Sequence, residues 1–304
     1  MPGPDALLVV YRVHWGLSSR APWGSVVQPS YLLPPPTTIL GAFARALHSL
    51  GYIKTGEFTE KGIVASGAAG ILDYLGDEWI ATAAWLSPSI RTGVLIRYFN
   101  GPYQSLKTRH VDLPETLAVS VELFGPYKLG YTVAPHSLLA ILIAPYRREL
   151  LEAALHLSRI GAKEGFVDPL VAYRAKLEEM GGDATGVVPW LVPAECLEHI
   201  EGNYVAEKTP LPYTREELVC AYSAEACTPL GITSRIGIMR EAVHPRYPGW
   251  ARATAKPECR MYRIARLDTE WIASSSVEAE NRAQLLRGTL VVSRAVEVTR
   301  GVHA

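Results

Sequence analysis

The segment Tyr31–Leu47, YLLPPPTTILGAFARAL, decides the fold of the first part of the chain. The three prolines Pro34–Pro36 hold the backbone extended, because each ring restricts φ and removes an amide hydrogen. Thr37 or Thr38 can then cap a helix. Apolar residues recur at helical spacing after the threonines, so the pattern predicts a helix over Thr37–Ser49 with one buried face.

Hydrophobic patterns on either side of this segment predict the elements around it. A strand is predicted at Leu7–His14, and a helix of small residues at Gly62–Leu75. Further predicted elements are strands at Trp79–Leu86, Thr92–Phe99, Leu117–Phe124 and Ser137–Ala144, a polar excursion at Gly101–Leu113, and a helix at Arg147–Ser158. This order is typical of an α+β domain of the ferredoxin-like or RRM-like kind, in which one helical layer packs on an antiparallel sheet.

The remainder of the chain predicts a smaller, mainly β region. Glycines at Met180–Gly186 indicate a flexible junction, Val187–Pro193 a short apolar strand, and the segment near Thr214 a helix start. Strand patterns at Arg260–Leu267, Trp271–Ser276 and Gly288–Thr299 predict a small second sheet. We therefore expect one domain over residues 1–178 and a second region over residues 179–304.

Charge is unevenly distributed, although the formal net charge of the 304 residues is zero. Residues 1–148 carry a net charge of +3 and residues 149–304 a net charge of −3. Residues 6–56 and 79–111 contain no carboxylate, while they include Arg20, Arg97, Lys107 and Arg109. Local unopposed cations favour phosphate binding, whereas the alternative is that apolar strands simply contain few acids.

Two segments combine features of a nucleic-acid contact. The first is the loop of Ser158, Arg159, Gly161 and Lys163, where glycine lets the backbone approach a phosphate and the side chains supply charge and a hydroxyl. A glycine after a helix is also a common C-cap, so this pattern alone leaves both interpretations open.

The second segment interleaves aromatic and cationic residues around the polar excursion. Its candidates are Arg97, Tyr103, Lys107, Arg109 and His110. Aromatic rings can stack on unpaired bases while cations neutralise the backbone. The alternative is a solvated hairpin face without a ligand.

Other function classes find little support in the sequence. It contains no phosphate loop of the GxxxxGK type, no GxSxG elbow and no HExxH helix. No long apolar run predicts a membrane span and no signal peptide is recognisable at the first residues, so we expect a cytoplasmic protein. Asparagine and glutamine are scarce, as in many proteins of thermophiles.

The cysteines leave several interpretations open. Cys196, His199, Cys220 and Cys227 could supply four zinc ligands, but no regular zinc-finger spacing is present. We expect no metal and buried thiols, with Cys259 as the fourth; a disulfide stays possible if the source is a hyperthermophile.

The PPPTT tract and the sequence LSRIGAKEGFVDP at Leu157–Pro169 together resemble the Cas-five family of CRISPR-associated proteins, members of the RAMP superfamily. In that family a proline-rich loop joins the first strand to the first helix, and an RIGxKEG-like loop follows the second helix. The resemblance covers roughly residues 6 to 175 and is nearest to the archaeal subtype I-A branch.

The resemblance implies a non-catalytic RNA-binding subunit of a type I effector (Cascade) complex in antiviral defence, without a cofactor. Such a subunit caps the 5′ handle of the crRNA, contacts the Cas-seven backbone subunit and the large subunit, and meets target DNA through the complex. It also implies a RAMP domain with an inserted β-hairpin thumb, here around residues 101–130. RNA would then be held by loops at Arg20, the excursion and Gly161.

Three rival functions accompany this interpretation. One branch of the family cleaves the CRISPR repeat without metal, using a tyrosine, a lysine and an adjoining histidine; Tyr31 or Tyr103, Lys107 and His110 are the matching candidates. Two residues separate the lysine from the histidine here, which departs from that pattern. The second rival is the related capping subunit of a type III complex, and the third is a purely structural scaffold.

Overall fold

The protein is an α+β chain built around one large antiparallel sheet. The computed structural model describes residues 2–19, 27–28, 30–54, 57–87, 91–98, 126–161, 165–181, 184–246, 250–274 and 276–294. Among these residues, no helix is long and apolar enough to cross a membrane.

The strands vary from two to fourteen residues in length. In chain order they are β1 Pro2–Val13, β2 Gly16–Leu17, β3 Val27–Gln28, β4 Glu57–Glu60, β5 Ile63–Ser66, β6 Ile80–Trp85, β7 Arg91–Tyr98, β8 Pro126–Val133, β9 Ser137–Ala144, β10 Val167–Met180, β11 Thr185–Val188, β12 Val192–Pro193, β13 Leu197–Glu201, β14 Tyr204–Pro210, β15 Met239–Pro245, β16 Ala251–Ala255, β17 Cys259–Ile272 and β18 Leu290–Arg294.

The α-helices are short apart from the first. They are α1 Pro36–Ser49, α2 Leu72–Leu75, α3 Arg148–His156, α4 Arg215–Tyr222, α5 Ala224–Cys227 and α6 Val277–Gln284.

The large sheet has the strand order β18-β17-β10-β1-β9-β6, and every neighbouring pair in it is antiparallel. Strand β1 lies near the centre, with Leu8 opposite Tyr173 on one side and Leu142 on the other. Its continuous apolar sequence LLVVY suits a strand that is covered on both faces.

Both faces of this sheet are buried, and they pack against different parts of the chain. Leu7 and Val9 face α1 and α3 in one core, whereas Leu8 and Val10 face C-terminal elements that include α6 in the other. All eight residues of β9 are buried, as its apolar sequence predicts. Helices α1 and α3 therefore share one face of the sheet.

Helix α1 confirms the predicted helix, but its cap differs from the prediction. Pro35 is the N-cap and Pro36 the first helical residue, so neither threonine hydroxyl caps the helix. The carbonyl of Pro35 accepts hydrogen bonds from the amides of Thr38 and Ile39. Proline suits the first helical position because its fixed φ is helical and its missing N–H would lack a partner there anyway.

The predicted small-residue helix at Gly62–Leu75 is wrong for its first half. Strand β5 occupies Ile63–Ser66, and a 3₁₀ turn over Gly67–Ile71 precedes α2. The Ser66 hydroxyl accepts from the Ala68 amide and thereby begins the turn. Glycine and serine favour turns over continuous helix, which accounts for the difference.

The predicted second sheet near the C-terminus is also wrong. Strands β17 and β18 extend the large sheet beside β10 instead of forming a separate one. Two three-stranded sheets do occur in this region, β11-β16-β13 and β12-β15-β14. The division at residue 178 stays a prediction.

Candidate functional site

Ser18 and Ser19 form a buried junction between segments that are far apart in sequence. The Ser18 hydroxyl donates to the carbonyl of Gly130 in β8, at 2.9 Å. The hydroxyls of Ser19 and Thr38 lie 2.6 Å apart, and the Tyr31 amide donates to the Ser19 carbonyl at 3.0 Å. Buried hydroxyls need such partners, so these bonds fix the junction against both the PPPTT segment and β8.

The Gly161 loop packs on the same junction. Gly161 has a φ of +77°, and a Cβ atom at this position would lie 2.6 Å from the carbonyl oxygen of Ser18. Only glycine combines that backbone conformation with so close an approach. The loop and the junction are therefore in direct backbone contact.

The loop is closed at its base by backbone pairing. The Ile160 amide donates to the Gly165 carbonyl at 2.8 Å, and the Val167 amide donates to the Ser158 carbonyl at 3.0 Å. Ile160 is fully buried, while Ser158 and Gly161 are exposed. One buried side chain thus anchors a loop in which Ser158 and Gly161 face solvent.

The hairpin of β7 and β8 begins beside the junction. Strand β8 pairs with both β7 and the short strand β2, which ends one residue before Ser18. Arg97 lies opposite Tyr127 in the hairpin register. The candidates Arg20, Tyr103, Lys107, Arg109, His110 and Lys163 lie outside the described residues.

Tyr31 has a different environment from the other candidates. It is only 4% exposed, and burial together with the nearby Glu207 carboxylate raises the pKa of its phenol. His244 Nε2 lies 3.2 Å from Glu207 Oε1 without the alignment of a hydrogen bond. The Tyr31 hydroxyl is therefore inside the protein, next to a buried polar pair, and not on the surface that carries the Gly161 loop.

Comparison with known proteins relates this arrangement to a family. No protein-family model matches the sequence. The sequence is 26% identical over 196 residues to the CRISPR-associated protein Cas5 2 of Saccharolobus solfataricus, an alignment that covers 64% of this chain and 70% of that protein. The chain is Cas5-like. The resemblance inferred from the PPPTT and RIGAKEG segments is thereby confirmed.

A solved structure shares the fold of this Cas5-like chain. The crystal structure of a CRISPR protein from Archaeoglobus fulgidus superimposes with a TM-score of 0.54 at 17% identity, covering 96% of this chain and 100% of that one. A chain of a CRISPR RNA-guided surveillance complex gives a TM-score of 0.42 at 9% identity over 92% of this chain and 98% of that one.

The sequence did not single out two exposed aromatic residues of the Cas5-like chain. Trp15 follows the end of β1 and Phe166 precedes β10, and the His14 amide donates to the Phe166 carbonyl at 3.1 Å. The Arg159 guanidinium lies 4.5 Å from the centre of the Phe166 ring. Nothing in the local pattern distinguishes these aromatics from core residues, because only tertiary structure leaves them exposed.

The cysteines of the Cas5-like chain form two disulfides, Cys196–Cys259 and Cys220–Cys227. Of the two alternatives for the cysteines, the structure therefore has disulfides, and the expectation of buried thiols is wrong. The four-ligand zinc alternative is wrong as well, because each cysteine is bonded to another cysteine. Local spacing could not reveal the first pair, because its members lie 63 residues apart. They meet where the first residue of β17 lies against the 3₁₀ turn that precedes β13.

Proposed function

We propose that this Cas5-like chain is a non-catalytic subunit of a CRISPR effector complex that binds the 5′ handle of the guide RNA. The observation that carries the proposal is the convergence at Ser18 and Ser19. The PPPTT segment, the Gly161 loop, the start of the Arg20 segment and the base of the β7–β8 hairpin all meet there. Of these, the Gly161 loop, the Arg20 segment and the hairpin carry the predicted RNA-binding residues.

Charge supports the same surface. The converging N-terminal segments belong to a stretch, residues 6–56, that contains no carboxylate. The Gly161 loop adds Arg159, and its backbone can approach a phosphate closely because Gly161 has no side chain. Phosphate neutralisation by such local cations is strongly salt-dependent, which makes the proposal measurable.

We also propose that the strands around β1 form a RAMP-type ferredoxin-like domain. The four strands β10, β1, β9 and β6 are consecutive and antiparallel, with α1 and α3 on one face. In this interpretation the hairpin of β7 and β8 is the thumb, inserted between the second and third strands of the domain.

The proposed partners follow from the family resemblance. They are the crRNA handle, the Cas-seven backbone subunit, the large subunit, and target DNA reached through the complex. We propose a cytoplasmic complex of type I, nearest to the archaeal subtype I-A, that acts in antiviral defence.

Binding and integrity of a labelled guide RNA, with and without its 5′ handle, test the proposal. We expect uncut RNA, tighter binding when the handle is present, and weaker binding for Lys107→Ala/Arg109→Ala and Arg159→Ala/Lys163→Ala. RNA cleavage would instead support the endoribonuclease function, with Tyr31 or Tyr103 to be tested beside Lys107 and His110. Absence of RNA binding, alone and with the partner subunits, would support a scaffold.

A further inference from the structure

Two exposed aromatic residues lie at one end of the large sheet, beside the Gly161 loop. Trp15 is 66% exposed, the most exposed aromatic residue in the described part of the chain, and Phe166 is 42% exposed. Exposed aromatic residues on adjoining backbone segments, unlike isolated ones, are typical of a surface that a partner covers.

The backbone holds these residues close together. The His14 amide donates to the Phe166 carbonyl, and Trp15 follows His14 directly. Arg159 forms an isolated β-bridge with Phe166, which links the pair to the loop. The carbonyl of Trp15 in turn accepts from the Ala134 amide at 2.9 Å. Both rings therefore project from a segment that is fixed by hydrogen bonds.

A cationic group lies beside one ring of the aromatic pair. The Arg159 guanidinium lies over the Phe166 ring at 4.5 Å from its centre. Asp168 follows two residues after Phe166 on β10, and its Oδ2 atom is 2.7 Å from His14 Nε2. Arg12 lies directly opposite Asp168 in the register. The Asp168 carboxylate thus has His14 and Arg12 as its neighbours, and the Arg159 guanidinium lies beside the Phe166 ring.

We propose that Trp15 and Phe166 form a stacking platform for an unpaired nucleobase of the bound RNA, with Arg159 as its cationic edge. This inference rests on the proposed function and specifies which residues contact a base instead of a phosphate. Every nucleobase has a flat π-face, so aromatic and guanidinium groups can hold a base with little regard to sequence.

A nucleobase suits the surface better than a protein partner does, for two reasons. The Phe166 ring is bordered by an arginine, and the same residue, Arg159, connects Phe166 to the Gly161 loop. In RRM domains, neighbouring sheet strands carry the aromatic residues that stack on bases. Here the ends of the neighbouring strands β1 and β10 carry them, although no RRM consensus strand occurs in the sequence.

The test compares Trp15→Ala and Phe166→Ala with the wild-type protein on a fluorescein-labelled guide RNA that carries its 5′ handle. Tyr52→Ala is the matched control, because Tyr52 is 40% exposed but lies beyond the opposite end of α1 from Thr38. We expect each platform variant to bind about 5- to 150-fold more weakly, as loss of one stacked base predicts. The control should bind like the wild type.

Salt dependence separates stacking from charge. The slope of log affinity against log salt should stay unchanged for Trp15→Ala and Phe166→Ala, because no phosphate contact is lost. Arg159→Ala should lower the slope by about 0.7 if it contacts one phosphate of a single strand. Trp15→Phe and Phe166→Tyr keep a ring and should retain most of the affinity, which excludes misfolding as the cause of the loss.

An abasic scan of the handle locates the stacked base. One abasic position should weaken wild-type binding and have little further effect on the platform variants. Platform variants that bind like Tyr52→Ala would overturn the proposal, as would variants that bind RNA normally but fail to join the partner subunits. The second result would identify the surface as a protein interface.

The test also distinguishes this proposal from the proposed function. If the wild type does not prefer RNA with the handle, the proposed function fails. The platform is then tested by comparing the binding of labelled oligoadenylate with that of an abasic strand of equal length. Preference for oligoadenylate that Phe166→Ala abolishes would support stacking. Equal binding of both strands would overturn it.

Discussion

The backbone of Gly161 lies directly against that of Ser18, so that a methyl group on Gly161 would sit 2.6 Å from the Ser18 carbonyl oxygen. This contact joins a loop near the middle of the chain to the segment that leaves the first strand. It links two parts of the sequence that carry RNA-binding candidates.

Gly161→Ala should destabilise the protein more than a positive φ alone would. Gly231 is a matched control because its φ is +78° and a Cβ atom there would meet nothing within 4 Å. We expect Gly231→Ala to lower the free energy of unfolding by about 1 to 2 kcal/mol, the cost of the backbone conformation. Gly161→Ala should cost at least about 1 kcal/mol more, because the close contact displaces backbone. Urea unfolding measures both, and equal losses would contradict the close packing.

The hydroxyls of Ser19 and Thr38 should be energetically coupled. A double-mutant cycle of Ser19→Ala and Thr38→Val should give a coupling free energy of about 1 kcal/mol, because each single variant leaves a partly buried hydroxyl without its partner. The exposed pair Thr185 and Thr254, with hydroxyls 2.7 Å apart, is the control. Water can replace that bond, so its coupling should be smaller. A coupling near zero at Ser19 and Thr38 would argue against the junction.

The two disulfides should differ in their contribution to stability. Cys196 and Cys259 are separated by 63 residues, and Cys220 and Cys227 by 7. On the chain-entropy account, removing the first bond with paired alanines should cost about 4 kcal/mol and removing the second about 2 kcal/mol. Thermal unfolding of the two double variants checks the order, and alkylation with mass spectrometry of the wild type checks that all four thiols are oxidised.

The Tyr52 hydroxyl should control the titration of Glu152. Their hydrogen bond connects the segment after α1 to helix α3. Its hydrogen bond of 2.5 Å, with help from Arg148, holds the pKa of the Glu152 carboxyl below its ordinary value. A lowered folded-state pKa means that the stabilisation is complete above the unfolded-state pKa and is lost as the pH falls through the folded-state pKa. Tyr52→Phe should raise the Glu152 pKa in a carbon NMR titration, whereas Tyr204→Phe should leave it unchanged. An unchanged value in Tyr52→Phe would contradict the contact.

Hydrophobic periodicity predicted most of the core elements, because burial is encoded locally. The strand at Leu7–His14, the helix after the prolines and the fully apolar strand at Ser137–Ala144 all follow from their own residues. The cap of α1 could not be predicted in the same way, because proline at the first helical position competes with a threonine cap.

The convergence of the candidate segments could not be predicted from the residues alone. Ser18 and Gly130 are 112 residues apart, and neither forms a motif. Trp15 and Phe166 likewise look like ordinary core residues until the fold leaves them exposed. Long-range placement depends on how the sheet assembles, so only the family resemblance suggested which loops would act together.

The most direct test of handle binding at the Ser18 junction is photocrosslinking of a guide RNA that carries 4-thiouridine at single positions of its 5′ handle, with the crosslinked peptides identified by mass spectrometry. If the handle binds at the Ser18 junction, crosslinks should form to residues 14–20, 158–166 and 99–125, and unlabelled RNA should compete for them only when it carries the handle. Crosslinks confined to the opposite face of the sheet, for example to Val277–Gln284, would contradict it.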